Sequence, residues 1–307
     1  MTNLKEKKIL VTGAHGFLGG YLVKNLLEKR GVSRENLSLP SDLDFRKLED
    51  CQKAVIGQDI VIHLAAKVGG IGLNKEKPGE LFYDNAVMGI QLMESARIAK
   101  VEKFVAIGTV CCYPKFTEVP FKEEDLWNGY PEETNAPYGL AKKMLLVQGQ
   151  AYRDQYGFNS IFLLPLNLYG PNDNYDPKSS HVISAIIRKI YEAKRDGLSS
   201  IDVWGTGEAT RGFLYVEDAA EGILLATEGY DKGDPVNLGS DMEISIKDLV
   251  ELICRLMDFQ GEVRWDSSKP DGQPRRKLDV SKALEFGFKA ETNFEEGLKK
   301  TISCLNI

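Results

Sequence analysis

The chain has no long hydrophobic run, no excess of positive charge, few histidines and no cysteine pattern, and each absence removes a class of function. No stretch approaches the roughly 18 consecutive apolar residues of a membrane span. The polar, basic start, Met1 to Lys8, leads into a glycine-rich turn rather than the apolar core of a signal peptide. Lys and Arg number 39 against 45 Asp and Glu, a net charge of −6. That balance argues against a nucleic-acid partner, because such binders carry a basic excess to displace counterions. A local cluster of cations can still hold an anionic small molecule. The five cysteines, Cys51, Cys111, Cys112, Cys254 and Cys304, are odd in number and show no CxxC spacing. This argues against a disulfide framework or a zinc site, and reduced thiols in a cytoplasm are the expectation. Only three histidines, His15, His63 and His181, are on hand for proton transfer. Proline, at 12 residues, is too scarce for a disordered or fibrous chain, and 43% apolar residues suffice for a core.

What is present is an alternation of strand and helix signals. Lys8–Thr12 (KILVT), Asp59–Leu64 (DIVIHL), Lys103–Gly108 (KFVAIG) and Ser160–Leu164 (SIFLL) are short apolar runs bounded by turn residues, the mark of buried strands. Between them Gly19–Lys29, Gly79–Ala99 and Tyr138–Tyr156 carry helical spacing of apolar residues. Such alternation predicts βαβ units and a parallel sheet covered on both faces. The expected fold class is α/β, a Rossmann-type doubly wound parallel sheet with a smaller C-terminal substrate-binding lobe. After Leu164 the pattern changes to a loop at Gly170–Ser180, a helix over Val182–Arg195 and a strand at Ile201–Trp204. A strand–helix unit follows at Phe213–Glu228, then a strand at Val236–Gly239, a helix over Ser245–Met257 and a basic loop, Lys269–Lys277. Residues 1–165 are expected to form the dinucleotide-binding domain and 166–307 mainly the second lobe, with the chain returning to the first near 212–240.

Gly13, Ala14, His15, Gly16, Phe17, Leu18 and Gly19 form a GxxGxxG turn between the first strand and the first helix. Glycines permit the tight turn and close backbone approach, and the helix N-terminus then offers free N–H groups to a pyrophosphate. In this strand–turn–helix context the motif predicts dinucleotide binding. Cofactor type is normally announced at the end of the second strand, where an acid accepts the ribose 2′-hydroxyl of NAD and a base pairs with the 2′-phosphate of NADP. Here Ser38–Arg46 (SLPSDLDFR) has no carboxylate at the strand end and a basic Arg46 a few residues on, so the sequence leans to NADP.

Tyr138 and Lys142 stand one helical turn apart, on one face of a helix. An ammonium beside a phenol favours the phenolate and suits it to exchange a proton with a carbonyl or an alcohol. Thr109 adds a hydroxyl just after a predicted strand end. His63, inside an apolar run, reads as core, and Cys112 reads as packing. Arg275 and Arg276 read as solvated loop charges.

With these residues in place, the chain resembles the extended short-chain dehydrogenase/reductase family, whose Ser/Thr–Tyr–Lys triad acts on alcohols and ketones of nucleotide sugars. Within it the chain is similar to enzymes that epimerise and then reduce GDP-linked 4-keto-6-deoxy sugars. The resemblance spans essentially the whole chain and rests on Lys67–Asn74 (KVGGIGLN), Cys111–Pro114 (CCYP), Asn135–Lys142 (NAPYGLAK), Asn167–Asn174 (NLYGPNDN), Ser180–Ile183 (SHVI), Trp204-Gly205 and Lys269–Gly272 (KPDG).

The resemblance implies that Tyr138 protonates the C4 oxygen during reduction, that Lys142 supports it and binds the nicotinamide ribose, and that Thr109 polarises the carbonyl. It makes Cys111 and His181 the base and acid of epimerisation at C3 and C5, where a C4 ketone acidifies the protons. NADP is the implied cofactor, held by Gly13–Gly19, Ala65, Lys142, Pro165, Asn167, Leu168 and His181. Lys189, Trp204, Arg211 and Asp271 fall at positions that grip the GDP portion of the substrate. No metal, membrane or nucleic acid is implied, and a homodimer is. Two departures from the family pattern stand out: the turn lacks the usual nearby arginine, and Thr109 stands where serine is common. A plain C4 reductase of a related GDP-4-keto sugar such as a heptose, or a 4-epimerase that retains NAD, would share most of these motifs.

Overall fold

The computed structural model describes residues 1–269 and 271–305; Pro270 of the KPDG segment and the last two residues of the expected second lobe lie outside the described residues. Its centre is a sheet of six strands, all paired in parallel. They are β1 (Ile9–Thr12), β2 (Leu37–Ser38), β3 (Ile60–His63), β4 (Lys103–Ile107), β5 (Ser160–Pro165) and, from much later in the chain, β10 (Val236–Leu238). The order is β10-β5-β4-β3-β1-β2. The runs of Ile, Val, Leu and Phe follow from this placement, because β1, β3, β4 and β5 are buried along their whole length, with helices on both faces. The first helices are α1 (Phe17–Glu28), α2 (Leu48–Val55), α3 (Ile71–Glu76), α4 (Pro78–Ile98) and α5 (Ala136–Tyr156). This is the Rossmann-like α/β architecture that the alternating pattern predicts.

Strand order reverses at β1, since β2 lies on one side of it and β3 on the other. A doubly wound sheet opens a crevice at that switch point, beyond the carboxyl ends of the strands. Gly13 follows β1 there and Ala65 follows β3, so topology alone brings the expected cofactor residues together.

After β5 the chain forms β6 (Asn167–Tyr169), α6 (Val182–Arg195), β7 (Ser200–Trp204), β8 (Thr210–Arg211), β9 (Phe213–Tyr215) and α7 (Val216–Gly229). Beyond β10 come β11 (Ile244–Ser245), α8 (Ile246–Leu256), β12 (Glu262–Asp266), β13 (Arg275–Arg276) and α9 (Phe294–Ser303). α7 belongs with the large sheet: Arg30, just past α1, pairs with Glu221 at 2.6 Å and Glu228 at 3.2 Å on α7. A second, separate core collects Ile183, Ile186, Ile187 and Ile190 of α6 with Val203, Leu249, Ile253 and Leu298. The isoleucines recur at helical spacing, so one stripe of α6 supplies most of its contribution to that core. Among the described residues no helix is long and apolar enough to cross a membrane.

Because Ile187 is wholly buried in the second core, Ile187→Ala is expected to cost about 2–5 kcal/mol in urea unfolding while leaving cofactor binding measurable. A loss below about 0.5 kcal/mol would show that this core collapses around the gap or contributes little to stability.

Candidate active site

The glycine turn is shaped by steric necessity. Gly13 lies at φ +70°, and a Cβ there would sit 2.8 Å from the Ala65 backbone nitrogen. A Cβ on Gly19 would overlap the Gly13 carbonyl oxygen, so α1 packs directly on the turn. Gly16 caps α1 with no side-chain hydrogen bond, which leaves the first N–H groups, at Phe17 and Leu18, at the positive end of the helix. A cradle without side chains in front of a helix N-terminus fits a pyrophosphate. Ala14 is buried beneath the turn, and exposed His15 fastens it to the second strand's end, with Nε2 3.2 Å from the Leu39 carbonyl.

The strand ends beside it are tied together. The Ala65 N–H donates to Thr12 Oγ1 at 3.1 Å, and Thr12 Oγ1 lies 2.8 Å from His63 Nδ1. Burial holds His63 well below the usual imidazole range. It is a neutral core group, as its apolar surroundings in the sequence suggest. Pro165 closes β5, and Asn167 and Leu168 follow in β6, where Asn167 Nδ2 donates to the Gly212 carbonyl at 2.9 Å. Arg46 does not behave as a free phosphate partner. Its guanidinium pairs with Asp44 at 2.8 Å and Asp84 at 3.2 Å, and it holds the Asp44 carboxyl down at about 2.

Beyond β4 the chain makes a single 3₁₀ turn, Val110–Cys112, capped by Thr109. Thr109 Oγ1 accepts from the Cys111 N–H at 3.3 Å, which leaves its own hydrogen available to a ligand. α5 presses on this turn: a Cβ on Gly139 would overlap the Cys111 carbonyl oxygen. That contact brings the Tyr138 end of α5, with Lys142 one turn on, against the turn that carries Thr109 and Cys111, and Tyr138 lies near the Cys111 sulfur. The two neighbouring thiols part company here. Cys112 is fully buried, donates to the Gly139 carbonyl at 3.2 Å and is pushed up to about 12, whereas Cys111 remains partly exposed. Burial also raises the Tyr138 phenol far above its usual value, with the Cys111 sulfur adding to the effect, so the free protein holds it protonated. The Lys142 ammonium, 2% exposed, is lowered by burial to about 8.

His181 caps α6 without using its side chain on the helix. Its loop leans on the KVGGIGLN segment, where the Gly70 N–H donates to the Ser179 carbonyl at 3.0 Å and a Cβ on Gly70 would sit 2.6 Å from the Ser180 oxygen. Asn74 and Asn85 hold that segment's backbone in place. His181 is solvent-accessible, with Asp173 and Arg276 near its ring. Crowding lowers the imidazole, Asp173 raises it and Arg276 lowers it. Asp173 is itself buried and accepts from Ser184 Oγ and the Asn174 N–H.

The expected substrate-side residues Arg211, Asp271, Trp204 and Lys189 lie after β5. Arg211, 9% exposed, donates to the Asp271 backbone carbonyl at 3.0 Å and is depressed to about 9, first by burial and then by Arg276. The Asp271 carboxylate accepts from the Thr206 N–H at 2.7 Å and Thr206 Oγ1 at 2.9 Å, next to Trp204, which is 52% exposed. Lys189 reaches the same strand from α6, donating to the Asp202 carbonyl at 2.6 Å. The expectation that Arg275 and Arg276 are both solvated holds for only one of them. Arg275 is exposed and pairs with Glu243 at 2.8 Å. Arg276 turns inward, its Nη1 3.9 Å from Cys111 Sγ, because neighbouring residues of a strand face opposite ways. Sequence reasoning also passed over Asp173, although NLYGPNDN contains it, and Gln273, which carries no pattern of its own.

A Rossmann-like sheet with a phosphate cradle, and a Tyr and Lys on one helix facing a hydroxyl and a thiol, define a dinucleotide-dependent enzyme of the extended short-chain dehydrogenase/reductase type. The chain belongs to the NAD dependent epimerase/dehydratase family, whose model matches residues 9–239. It is 38% identical to the GDP-L-fucose synthase of Sinorhizobium fredii, covering 97% of this chain and 95% of that one. Among solved structures, a GDP-6-OMe-4-keto-L-xylo-heptose reductase from C. jejuni superposes with TM-score 0.90 at 27% identity, covering 99% of this chain and 98% of that one. A GDP-L-fucose synthetase from Naegleria fowleri, bound to NADP, gives 0.86 at 29% identity, with 99% and 94% coverage.

Lys142 carries a stability consequence of its own. Its folded value of about 8 lies below the ordinary 10.5, so the buried charge costs stability below about pH 8, and the cost fades as pH rises to 10.5. Lys142→Met is expected to stabilise the cofactor-free protein at pH 7 by on the order of 1–3 kcal/mol, with the gain shrinking toward pH 10. Thermal unfolding across that range checks it. A variant less stable than wild type throughout means that the ammonium is compensated in the fold.

Proposed function

We propose that this chain is an NADP-dependent epimerase/reductase that converts GDP-4-keto-6-deoxy-D-mannose to GDP-L-fucose. Inversion at C3 and C5 proceeds through enolates, and reduction of the C4 ketone follows. The observation that carries the reading is that one short turn delivers Thr109 and Cys111 to the face of α5 bearing Tyr138 and Lys142. A cleft equipped only for reduction has no use for an accessible thiol beside its triad. Its relatives' names supply the substrate class.

The glycine turn from Gly13 to Gly19 binds the cofactor's pyrophosphate, Ala65, Pro165, Asn167, Leu168 and His181 line its path, and Lys142 holds the nicotinamide ribose. NADPH, when bound, supplies the hydride. Tyr138, kept protonated by burial, gives its proton to the C4 oxygen, and the Thr109 hydroxyl donates a hydrogen bond to the same oxygen. Lys142 stabilises the phenolate that this leaves. For inversion, Cys111 takes the proton from carbon and His181 returns one to the opposite face, while the C4 oxygen carries the enolate charge under the same two hydroxyls. Arg211 and Lys189 hold the diphosphate, Trp204 offers a flat apolar face, and Asp271 fixes the strand end between them. In this reading residues 1–165, with the return near 212–240, bind cofactor and the remainder binds substrate. The enzyme works as a cytoplasmic homodimer, for which a sedimentation mass near twice 34.2 kDa is expected.

The similarity to the Campylobacter reductase favours a second reading, C4 reduction of a related GDP-4-keto sugar without inversion. Isotope exchange separates the two. In D₂O without NADPH, wild type is expected to place deuterium at C3 and C5 of the 4-keto sugar and Cys111→Ser is not, since a serine hydroxyl is far too weak an acid to ionise near neutrality. Tyr138→Phe should retain measurable exchange, slowed by the lost hydrogen bond to the enolate oxygen and carried by Thr109, while NADPH oxidation drops about 10²–10⁴-fold. Exchange at wild-type rates in Cys111→Ser removes that residue from the mechanism and puts the plain reductase ahead.

A further inference from the structure

We propose that Arg276 is a positioning residue for Cys111, the counter-charge its sulfur pairs with when that residue acts as a base, and that Gln273 is the strut that aims it. The inference deepens the epimerase reading and rests on it. Arg276 Nη1 lies 3.9 Å from Cys111 Sγ. The guanidinium is not there by chance of a flexible side chain. Its Nε donates to Gln273 Oε1 at 3.3 Å, and the amide of Gln273, 4% exposed, donates in turn to the Pro114 and Lys115 carbonyls at 3.2 and 3.0 Å. Pro114 and Lys115 close the same segment that begins with Cys111. The loop from the second lobe is thus pinned to the segment it serves.

The backbone is fixed from the other side as well. β13 pairs with β8 so that Arg276 stands opposite Arg211, and the Gly212 N–H donates to the Arg276 carbonyl at 2.8 Å. Two guanidiniums are therefore held close together, and Arg276 adds to the burial that disfavours the charge of Arg211. An anion between them relieves that repulsion, and the Cys111 sulfur is the protein group in that place. The groups that face Cys111 are Tyr138 from α5, Cys112 from its own turn, Arg211 from β8 and Arg276 from β13. Arg276 also faces His181, with Asp173 acting on the imidazole in the opposite sense. Arg276 therefore acts on both groups of the pair, and at His181 the carboxylate of Asp173 opposes it.

The test is alkylation of Cys111 by iodoacetamide as a function of pH, followed at the Cys111 peptide by mass spectrometry so that exposed Cys304 and half-buried Cys254 do not interfere. Alkylation reads the thiolate and needs neither substrate nor turnover. Arg276→Gln is expected to move the midpoint up by about one pH unit, a roughly tenfold slower reaction below the midpoint, and Arg276→Lys to restore most of it. Gln273→Leu, which keeps the charge and removes its strut, should move the midpoint the same way by less. It stands in if Arg276→Gln does not fold. An unchanged midpoint overturns the proposal, as does a variant whose only defect is a raised KM for the GDP-sugar, which would make Arg276 a phosphate ligand. A shifted midpoint together with full deuterium exchange in Cys111→Ser would support the ion pair and overturn the epimerase reading instead.

Discussion

No side chain fits between α5 and the turn that carries Cys111, because a methyl group at Gly139 would overlap the Cys111 carbonyl oxygen. The rest of the site depends on this closeness. It lets the helix dock at backbone distance on the turn after β4, so buried Tyr138 and Lys142 belong to the helix that packs there, with Tyr138 near the Cys111 sulfur. It also separates two adjacent thiols, since the Gly139 carbonyl takes the Cys112 S–H and leaves Cys111 to the cleft. The same device recurs at the glycine turn, where Gly19 brings α1 onto the turn and Gly13 brings the turn onto the backbone after β3. Both ends of the active centre are thus made of backbone in contact with backbone, and the reactive side chains stand where that leaves room.

The cleft is held in electrostatic tension. Lys142 is buried, and Arg211 is buried beside Arg276; burial drives Lys142 below its ordinary value, and burial with like charge does the same to Arg211. A site tuned for stability would pair these cations with carboxylates, as Arg30 is paired with Glu221 and Glu228 on the far side of the sheet. Leaving them underpaired lowers the stability of the empty protein and raises its affinity for anions.

Much of this was legible in the sequence, and the parts that were not share a physical cause. Runs such as KFVAIG and SIFLL announce buried parallel strands because a strand covered on both faces has no polar side to show. The glycine turn and the Tyr138–Lys142 spacing are likewise local signals. Arg276 was hidden because its direction is decided by a pairing of two-residue strands, β8 and β13, too short to leave a periodicity. Arg46 reads as a free base until the fold brings Asp84 to it from a distant helix. α9 went unseen for a different reason: its one clear start signal, Asn293 capping Glu296, precedes a short and weakly apolar stretch.

The hydrogen bonds that assemble the site also bear on how the molecule can move. Gly70 to Ser179 joins the loop after β3 to the His181 loop, and Gln273 to Pro114 and Lys115 joins the Arg276 loop to the segment after β4. These bonds latch together distant segments of the chain on either side of Cys111. A rigid-body hinge opening would break all three, at about 0.5–1.5 kcal/mol each, and would dismantle the cleft as it opened. The low-energy motions are those that leave these latches closed.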